Sequence, residues 1–358
     1  MPALNYAERW QPGLLAILNQ NTLTSPFITS NVKWLDAKSF HFTQMSVSGY
    51  RNHKRDGGFN RGNINQTDVV YTLTHDRDIE FFIDKADVDE TNQTASAENI
   101  SHVFEKTRVA PETDAYFFAK VAKAAINAGL VTKTAISDYT KANVLTKVKA
   151  LFKHGRLRAY KQDGSLIMYV SSDIMDLLEM SSEIAKKIEI TQIADGGTGI
   201  ETRVANIDGV PIIEVIDLDR FYDNFEFIAE GTDTLNGFVP AKATYVQAEL
   251  ASGDSLVGLY TKSGNDYTLV NTGTYSSGTY YKKIDGAHKI NVLAASVNTT
   301  FTVPKINSIY FFAPGEHTQG DGYVYQNRSL WDTFVFPNGL TGKIDSIAVD
   351  IDTEDYKG

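Results

Sequence analysis

The residues with the clearest capacity for chemistry lie in one short segment near the middle of the chain. Gly253-Asp254-Ser255-Leu256 places a serine hydroxyl in a turn-forming sequence, and Asp285 and His288 follow it in a D-x-x-H pattern. A serine nucleophile activated by a histidine base, which an aspartate orients, is an arrangement that hydrolyses esters. The sequence therefore contains a candidate catalytic triad, which the surrounding elements would have to position.

The spacing of these residues does not suit the hydrolases that use them. GDSL-type hydrolases place the serine near the start of an α/β domain and the aspartate and histidine near its far end. Here all three lie within one segment of short strand-like sequences, without helices that could cover a parallel sheet. We interpret the tetrapeptide as a turn, and a GDSL-type hydrolase remains the third functional hypothesis.

Other motifs give little support for a cofactor or metal site. The glycine-rich run DGGTG at residues 195–199 lacks the lysine of a phosphate-binding loop. The acidic residues Asp84, Asp87, Asp89 and Glu90 lack the glycine and the closing glutamate of a calcium loop. The seven histidines show no zinc-binding spacing, and the absence of cysteine excludes disulfides and thiolate ligands. We predict no enzyme activity, no cofactor and no metal.

A cluster of basic residues lies in the glycine-bearing segment YRNHKRDGGFNRGNIN. Its members are Arg51, His53, Lys54, Arg55 and Arg61, against the single acid Asp56. Three interpretations remain open: a solvated loop, a basic finger that contacts acidic surface on a neighbouring subunit, and a nucleic-acid contact. The third has the least support, because Phe59 is the one aromatic residue between Arg51 and Arg61 and no neighbouring basic patch supports the cluster.

Composition limits the possible functions of the whole chain. Its 358 residues predict two or three packed units, and its net charge of −10 argues against a dedicated nucleic-acid binder. No apolar run reaches the roughly 18 residues of a membrane span. The N-terminus lacks the basic region of a secretory signal.

The first third of the chain predicts an arm, a hairpin and a helix. Residues 1–38 show weak periodicity, which predicts an extended arm with a short helix near Leu14–Leu18. Polar and apolar residues alternate over 39–83, which predicts two strands around the basic tip. A long isolated hairpin is marginally stable in water, so we expect it to dock on a partner. Ser96 is a predicted cap for a helix that ends at Gly129.

Helices and antiparallel strands mix in the remaining sequence. The patterns predict a helix over 137–155, a hairpin with its turn at 163–164, a helix over 172–184 and a hairpin with its turn at 208–209. Pro111 either kinks the preceding helix or starts a second one. This order indicates an α+β fold rather than a Rossmann alternation.

The composition changes sharply over residues 241–288, which are rich in Tyr, Thr, Ser and Gly. Turn signals recur through this segment, so it predicts a small all-β insertion. After this segment the composition returns to that of the earlier sequence, and KINSIYFFAPG and GYVYQNRSLWDTFVF are predicted strands. The chain is therefore predicted to leave a domain, build an extra module and return.

Three runs, in order along the chain, resemble the major capsid proteins of tailed bacteriophages, particularly phages of Gram-positive bacteria. They are DVDETNQTASAENISHVFEKTRVAPETDAY, VANIDGVPIIEVIDLDRFYDNFEF and FFAPGEHTQGDGYVYQNRSLWDTFVF. This family has the Hong Kong 97-type capsid fold, so the resemblance implies an α+β capsid fold with a small all-β insertion. It assigns residues 1–38 to an N-arm, 39–83 to an E-loop, 84–135 to a P-domain with its spine helix, 136–240 and 289–304 to an A-domain, 241–288 to the insertion and 305–358 to a return to the P-domain.

The resemblance implies a shell-building function. The protein would self-assemble into an icosahedral head of hexamers and pentamers around double-stranded DNA, in the virion, after assembly in the host bacterial cytoplasm. Implied partners are a portal protein, a decoration protein and DNA held without sequence-specific binding, with no membrane. Some relatives begin with a cleaved scaffolding domain, whereas this chain starts at the arm, so a separate scaffolding protein is expected. The second hypothesis is a tail or adhesin protein whose β insertion binds carbohydrate.

Overall fold

The structure is a computed structural model of the chain. It describes residues 22–30, 32–36, 38–53, 57, 59–85, 101, 103–181, 206–228, 237–264, 266–339 and 341–357. The helix predicted near Leu14–Leu18, the cap at Ser96, the glycine-rich run at 195–199 and most of the acidic run that begins at Asp84 lie outside these residues.

Four helices and eighteen strands are assigned within these ranges. The helices are α1 (Ala110–Asn127), α2 (Val144–Ala150), α3 (Leu157–Gln162) and α4 (Ser172–Met180). The strands are β1 (Lys33–Trp34), β2 (Ser39–Val47), β3 (Ile64–Thr72), β4 (His75–Asp84), β5 (Val131–Lys133), β6 (Leu166–Ser171), β7 (Asn206–Ile207), β8 (Val210–Val215), β9 (Phe225–Phe227), β10 (Phe238–Pro240), β11 (Thr244–Gln247), β12 (Tyr260–Ser263), β13 (Asp266–Leu269), β14 (Tyr281–Ile284), β15 (His288–Ser296), β16 (Thr300–Phe312), β17 (Gly322–Val335) and β18 (Ile347–Asp355). None of the described helices is both long and apolar enough to cross a membrane.

A six-stranded sheet in the order β5-β18-β15-β6-β8-β7 has helices on both faces. Successive side chains of a strand point to opposite faces, so Tyr169 and Leu293 pack toward α1 while Met168 and Val292 pack toward α2 and α4. The α1 side is rich in aromatic rings, and Phe118 lies edge-on to Tyr169 at 5.0 Å. Covered on both sides, β6 and β15 are nearly continuous apolar runs.

Helix α1 ends where the sequence predicts. Gly129 adopts φ +71°, which favours glycine, and its amide donates to Ile126 O. Pro111 lies in the first turn of α1, where its missing N–H costs nothing. A π-helical turn over Glu105–Val109 leads directly into this turn, so the two helical segments remain continuous across the proline.

Two predictions between residues 137 and 164 are wrong. The helix predicted over 137–155 begins only at Val144, because Asn143 bonds the backbone of the preceding turn at Thr140 N and Asp138 O. The segment predicted as the first strand of a hairpin is α3, and Gly164 at φ +71° then leads to β6. Six residues are too few to distinguish strand from helix by periodicity.

The hairpin predicted at 208–209 is confirmed. β7 and β8 pair antiparallel, and Asp208 at φ 52° and Gly209 at φ 83° supply the two left-handed residues of a tight turn. The helix predicted from Ser172 is also confirmed, and it ends at Met180.

The prediction that residues 75–83 belong to the hairpin is wrong. Residues 75–84 form a strand of another sheet. β4 pairs with β17 over its whole length, and β17 pairs with β16, giving the order β16-β17-β4. The domain boundary predicted between residues 304 and 305 falls inside β16, next to a register shift. The segment predicted to return to the P-domain also divides, because β18 joins the six-stranded sheet.

The predicted hairpin itself consists of β2 and β3, paired from Ser39–Thr72 to Val47–Ile64. Only its root is buried. Phe40 and Leu73 pack against Val303 and Leu330 at the start of the β16–β17 pair. The nine-residue strands are each about 27 Å long. Phe42 still stacks on Phe336 with ring centroids 4.2 Å apart, so only the distal part of the hairpin projects from the body of the subunit.

The insertion is confirmed as an all-β module, a four-stranded sheet in the order β11-β14-β12-β13. Its two edge strands curl toward each other, because the rings of Tyr245 in β11 and Tyr267 in β13 stack 3.8 Å apart at an angle of 3°. Tyr260 and Tyr281 contact the same pair. The tyrosines thus form a small core, and His288 already belongs to β15 of the six-stranded sheet.

Candidate assembly surfaces

The predicted serine, aspartate and histidine do not form a triad. Ser255 is exposed and forms an isolated antiparallel bridge with Thr274 between two turns, and its Oγ accepts the Val257 amide hydrogen at 3.3 Å. The buried His288 faces other carboxylates, with Nδ1 at 3.2 Å from Asp223 Oδ2 and Nε2 at 3.5 Å from Asp355 Oδ1. The hydrogen bond with Asp223 is the main reason that the pKa of this imidazole is raised. The imidazole is thus engaged away from Ser255.

Charged contacts instead fix the base of the insertion. Lys283 of β14 forms an ion pair with Asp355 of β18 and lies 3.7 Å from Asp285. Asp355 Oδ1 also accepts the Gly286 amide hydrogen at 3.1 Å. Asp285 therefore contributes to this anchoring. In the part of the chain that the structure describes, no group of three or more histidine and acidic side chains is arranged to hold a metal.

The basic cluster lies at the free end of the β2–β3 hairpin. Arg51, His53 and Arg61 are exposed there, whereas Lys54 and Arg55 lie outside the described residues. Two hydrogen bonds join the two sides of the hairpin near this tip. The Ser48 amide donates to Asn63 O at 3.0 Å, and Asn60 Nδ2 donates to Asn52 O at 2.9 Å. Two aromatic side chains, Tyr50 and Phe59, are almost completely exposed beside the charges, Phe59 at 97%.

Three exposed apolar side chains share one face of the distal hairpin with Gln66, the ladder partner of Met45. Val47 and Ile64 are direct partners in the ladder, and Met45 lies two residues away on the same face. Their exposed fractions are 62%, 71% and 58%. Exposed apolar side chains that cluster on a projecting element mark an interaction surface.

The outward face of β4 is acidic. Asp76, Asp78 and Glu80 alternate with the inward residues of the strand and are exposed. Arg328 makes a bidentate contact with Asp76 at 3.0 and 3.1 Å, and its hydrogen bond is the main cause that lowers the pKa of that carboxyl. β4 is also an edge strand, so this acidic face borders an open side of the sheet.

The arm crosses α1 at a buried aspartate. Asp114 is completely buried, and its carboxylate accepts hydrogen bonds from the Leu23 amide at 3.1 Å and from the Thr24 hydroxyl at 2.8 Å. Arg220 Nη1 lies 3.0 Å from the same carboxylate. Phe27 then packs against Phe117 with ring centroids 4.7 Å apart. Residues 22–30 are thereby fastened to the helix.

A cavity of about 240 Å³ lies between the π-helical turn and the β16-β17-β4 sheet. Apolar atoms predominate in its lining, which includes Phe104, Val109 and Ile306. At one end Asn327 Nδ2 donates to the buried Glu105 Oε1 at 3.0 Å. Burial raises the pKa of this carboxyl to about 7, and the hydrogen bond offsets only part of the increase.

Arg77 and Glu112 form the opposite end of the cavity. Arg77 Nε donates to Glu112 Oε1 at 2.9 Å, and its two terminal nitrogens donate to Ile228 O at 2.7 Å and Gly237 O at 2.8 Å. The guanidinium therefore joins β4, α1 and the β9–β10 connection. Sequence patterns did not predict this cavity, because residues from distant parts of the chain build it.

Over 93% of its length, the chain is similar in structure to capsid chains of two phages. It matches a chain of the mature capsid of bacteriophage PhiM1 over 93% of its own length and 88% of the other chain, with a TM-score of 0.53 and 12% identity. It matches the capsid of cyanophage P-SCSP1u over 93% and 89%, with a TM-score of 0.52 and 12% identity. No protein-family model and no curated protein sequence matches the chain. The expected α+β fold of the Hong Kong 97 type is confirmed.

Proposed function

We propose that this chain is the major capsid protein of a tailed bacteriophage, which self-assembles into an icosahedral shell of hexamers and pentamers around double-stranded DNA. The structural likeness to phage capsid chains over 93% of the sequence carries this proposal. A likeness over nearly the whole chain leaves little sequence for an unrelated activity. The role is structural rather than enzymatic.

The projecting hairpin supplies the main contact between subunits in this proposal. Its distal apolar face and basic tip extend from the subunit, where a neighbouring copy can cover them. Arg51, His53, Lys54, Arg55 and Arg61 are the proposed contact residues, and the acidic face of β4 offers charges of opposite sign. Contact between two different patches closes into rings when the rotation between subunits permits, as hexamers and pentamers require.

Further partners follow from the same assignment. A portal protein, a scaffolding protein during assembly and a decoration protein on the shell are proposed as partners, in the virion after assembly in the host cytoplasm. The net charge of −10 favours contact with packaged DNA that is weak and independent of base sequence. An inner wall that bound phosphates tightly would hold the genome in place.

The adhesin alternative depended on a binding surface in the insertion. Four of its tyrosines pack against one another, and the parallel stack of Tyr245 on Tyr267 occupies one face of each of these rings. This arrangement favours a core role for these aromatics over stacking with sugar rings. The insertion is thus better explained as a structural addition to the capsid fold than as a carbohydrate-binding module.

Electron microscopy of the expressed protein tests the proposal. Shells or lattices of capsomers are expected, and tubes or fibres would instead favour a tail component. Deleting residues 51–62 is expected to abolish assembly and to leave a folded monomer by circular dichroism. A control variant, Lys282→Gln with Lys289→Gln, removes two exposed positive charges elsewhere and should assemble normally. Normal particles from the deletion would contradict the role of the tip.

A further inference from the structure

One segment of this acidic chain is strongly basic. Residues 141–161 contain seven Lys and Arg and neither Asp nor Glu, whereas the whole chain has 34 basic and 44 acidic residues. The segment forms α2, a 3₁₀ turn over Leu151–Lys153 and α3. Positive charge concentrated on one short segment of a chain with a net charge of −10 indicates a local surface for an anionic partner.

The apolar residues of this segment are buried against the six-stranded sheet, which leaves its charges on the outside. Lys149 and Lys161 share one acid, because their ammonium groups lie 3.1 and 3.0 Å from the carboxylate of Asp208. Lys147 donates to the carbonyl of Asp138 at 2.7 Å. The other four basic side chains, which we call the basic face, are exposed and form no ion pair with a carboxylate of the described residues: Lys141, Lys153, Arg156 and Arg158.

The composition of the basic face distinguishes between two classes of anionic partner. Protein interfaces are depleted of Lys at their centres and enriched in aromatic and apolar anchors. None of the exposed large apolar side chains lies within residues 141–161, all of which the structure describes. Of the aromatic residues there, Phe152 is buried and the half-buried Tyr160 donates to Asp345 at 3.1 Å. Charges without an apolar anchor suit a phosphate backbone better than an acidic protein.

We infer that the basic face of α2 and α3 contacts the phosphate backbone of the packaged double-stranded DNA. This inference rests on the proposed shell-forming function, and it assigns the α2 side of the six-stranded sheet to the interior of the shell. The contact is weak, because four charges are available and the exposed Asp173 and Asp176 of α4, which packs beside α2, oppose it. Weak phosphate contacts let DNA move along the wall rather than hold it in one place.

Binding of duplex DNA to the unassembled chain at several salt concentrations tests the inference. The basic-face variant combines Lys141→Gln, Lys153→Gln, Arg156→Gln and Arg158→Gln. Because each phosphate contact contributes about 0.9 to the slope of log affinity against log salt, the magnitude of this slope should fall by about 3–4 in the variant. Between about 50 and about 200 mM salt, the wild-type affinity should therefore drop about a hundredfold more than that of the variant.

A control variant removes four exposed charges outside the basic face: Lys123→Gln, Lys242→Gln, Lys282→Gln and Lys289→Gln. The two variants have the same net charge, and the slope of the control should stay close to that of wild type. Both should give the circular dichroism of the wild-type fold, since every replaced side chain is exposed. An unchanged slope for the basic-face variant, or an equal change in the control, would overturn the inference.

Lysine acetylation of DNA-filled particles gives an independent measurement on the wild-type chain. The particles are treated with a small reagent before and after their DNA is released, and the modified lysines are identified by mass spectrometry. Lys141 and Lys153 are expected to gain reactivity on release, whereas Lys123 of α1, on the opposite face of the sheet, should not change. Equal reactivity of Lys141 and Lys153 before and after release would contradict a contact with DNA.

The outcomes separate this inference from the proposed function. A basic-face variant that binds DNA as wild type does but no longer forms shells would indicate an acidic protein partner and overturn the contact with DNA. Wild-type shells whose subunits bind DNA independently of the basic face would overturn the inference and leave the shell function intact. A wild-type chain that forms no shells under any condition would overturn the proposed function and this inference with it.

Discussion

Replacing Glu105 with glutamine is expected to remove part of the pH dependence of stability. Glu105 is 4% exposed in the π-helical turn, and its Oε1 accepts a hydrogen bond from Asn327 Nδ2 at 3.0 Å. Burial raises the pKa of the carboxyl from 4.5 to about 7. Glutamine keeps the size of the side chain and the acceptor oxygen, so the substitution removes the ionisation and little else.

The sign of the effect follows from proton linkage. Because the folded-state pKa lies above the unfolded value, the protonated carboxyl contributes stability that is fully present below about pH 4.5. This contribution is lost as the pH rises through about 7. Between about pH 5 and pH 8, the ionisation of Glu105 therefore lowers the free energy of unfolding by roughly 2–3 kcal/mol.

Urea unfolding of the unassembled chain at several pH values measures the effect. The stability of Glu105→Gln relative to wild type is expected to increase by roughly 2–3 kcal/mol from about pH 5 to pH 8. His288 adds a dependence of the same sign, because the hydrogen bond to Asp223 raises its pKa. That contribution is present in both proteins and cancels in the difference. A difference that stays constant over this range would refute the reasoning.

Three further substitutions test the packing of the subunit. Asp114→Ala is expected to cost about 3–5 kcal/mol in chemical denaturation, because it leaves two arm residues without their acceptor and the half-buried Arg220 with Asp217 as its remaining carboxylate partner. A loss below about 1 kcal/mol would contradict this. Gly155→Ala should lower the melting temperature more than Gly164→Ala. A Cβ atom at position 155 would lie 2.5 Å from the backbone oxygen of Asp345, whereas a Cβ atom at position 164 meets open space. Equal shifts of the melting temperature would refute the difference. Tyr267→Ala should speed hydrogen exchange in the insertion and leave α1 protected; unchanged exchange there would contradict a tyrosine core.

Local signals allowed part of the fold to be predicted. Gly129 and the Asp208-Gly209 pair require positive φ angles, and the sequence marks such positions with glycine. The partner of β4 could not be predicted, because β17 lies some 240 residues further along the chain and pairing at that distance leaves no local pattern. The start of α2 depended on the two hydrogen bonds that the Asn143 side chain makes with the preceding turn, which no periodicity reports.

One of the candidate surfaces could be predicted from the sequence, and the cavity could not. The basic tip was visible in the sequence because its charges lie within eleven residues of the chain, at positions 51–61, and Arg51 and Arg61 are exposed as expected. The cavity was not visible, because Phe104, Ile306 and Trp331 come together only after the sheet and the helix pack. Its one sequence signal was an acid in the apolar stripe of a helix, at Glu105, which indicates a buried carboxyl with a specific partner.

The energetics of the hairpin explain why assembly should be collective. Met45, Val47 and Ile64 are each about 60–70% exposed, so complete burial of all three would contribute about 3–5 kcal/mol. Association of two molecules costs about 4–15 kcal/mol of translational and rotational freedom. One hairpin contact alone is therefore marginal. When a ring closes, each subunit gains a second contact without a second loss of that freedom, and the closed ring becomes stable although its pairs are not. A subunit with this hairpin can remain monomeric until assembly begins and then be held firmly in a shell.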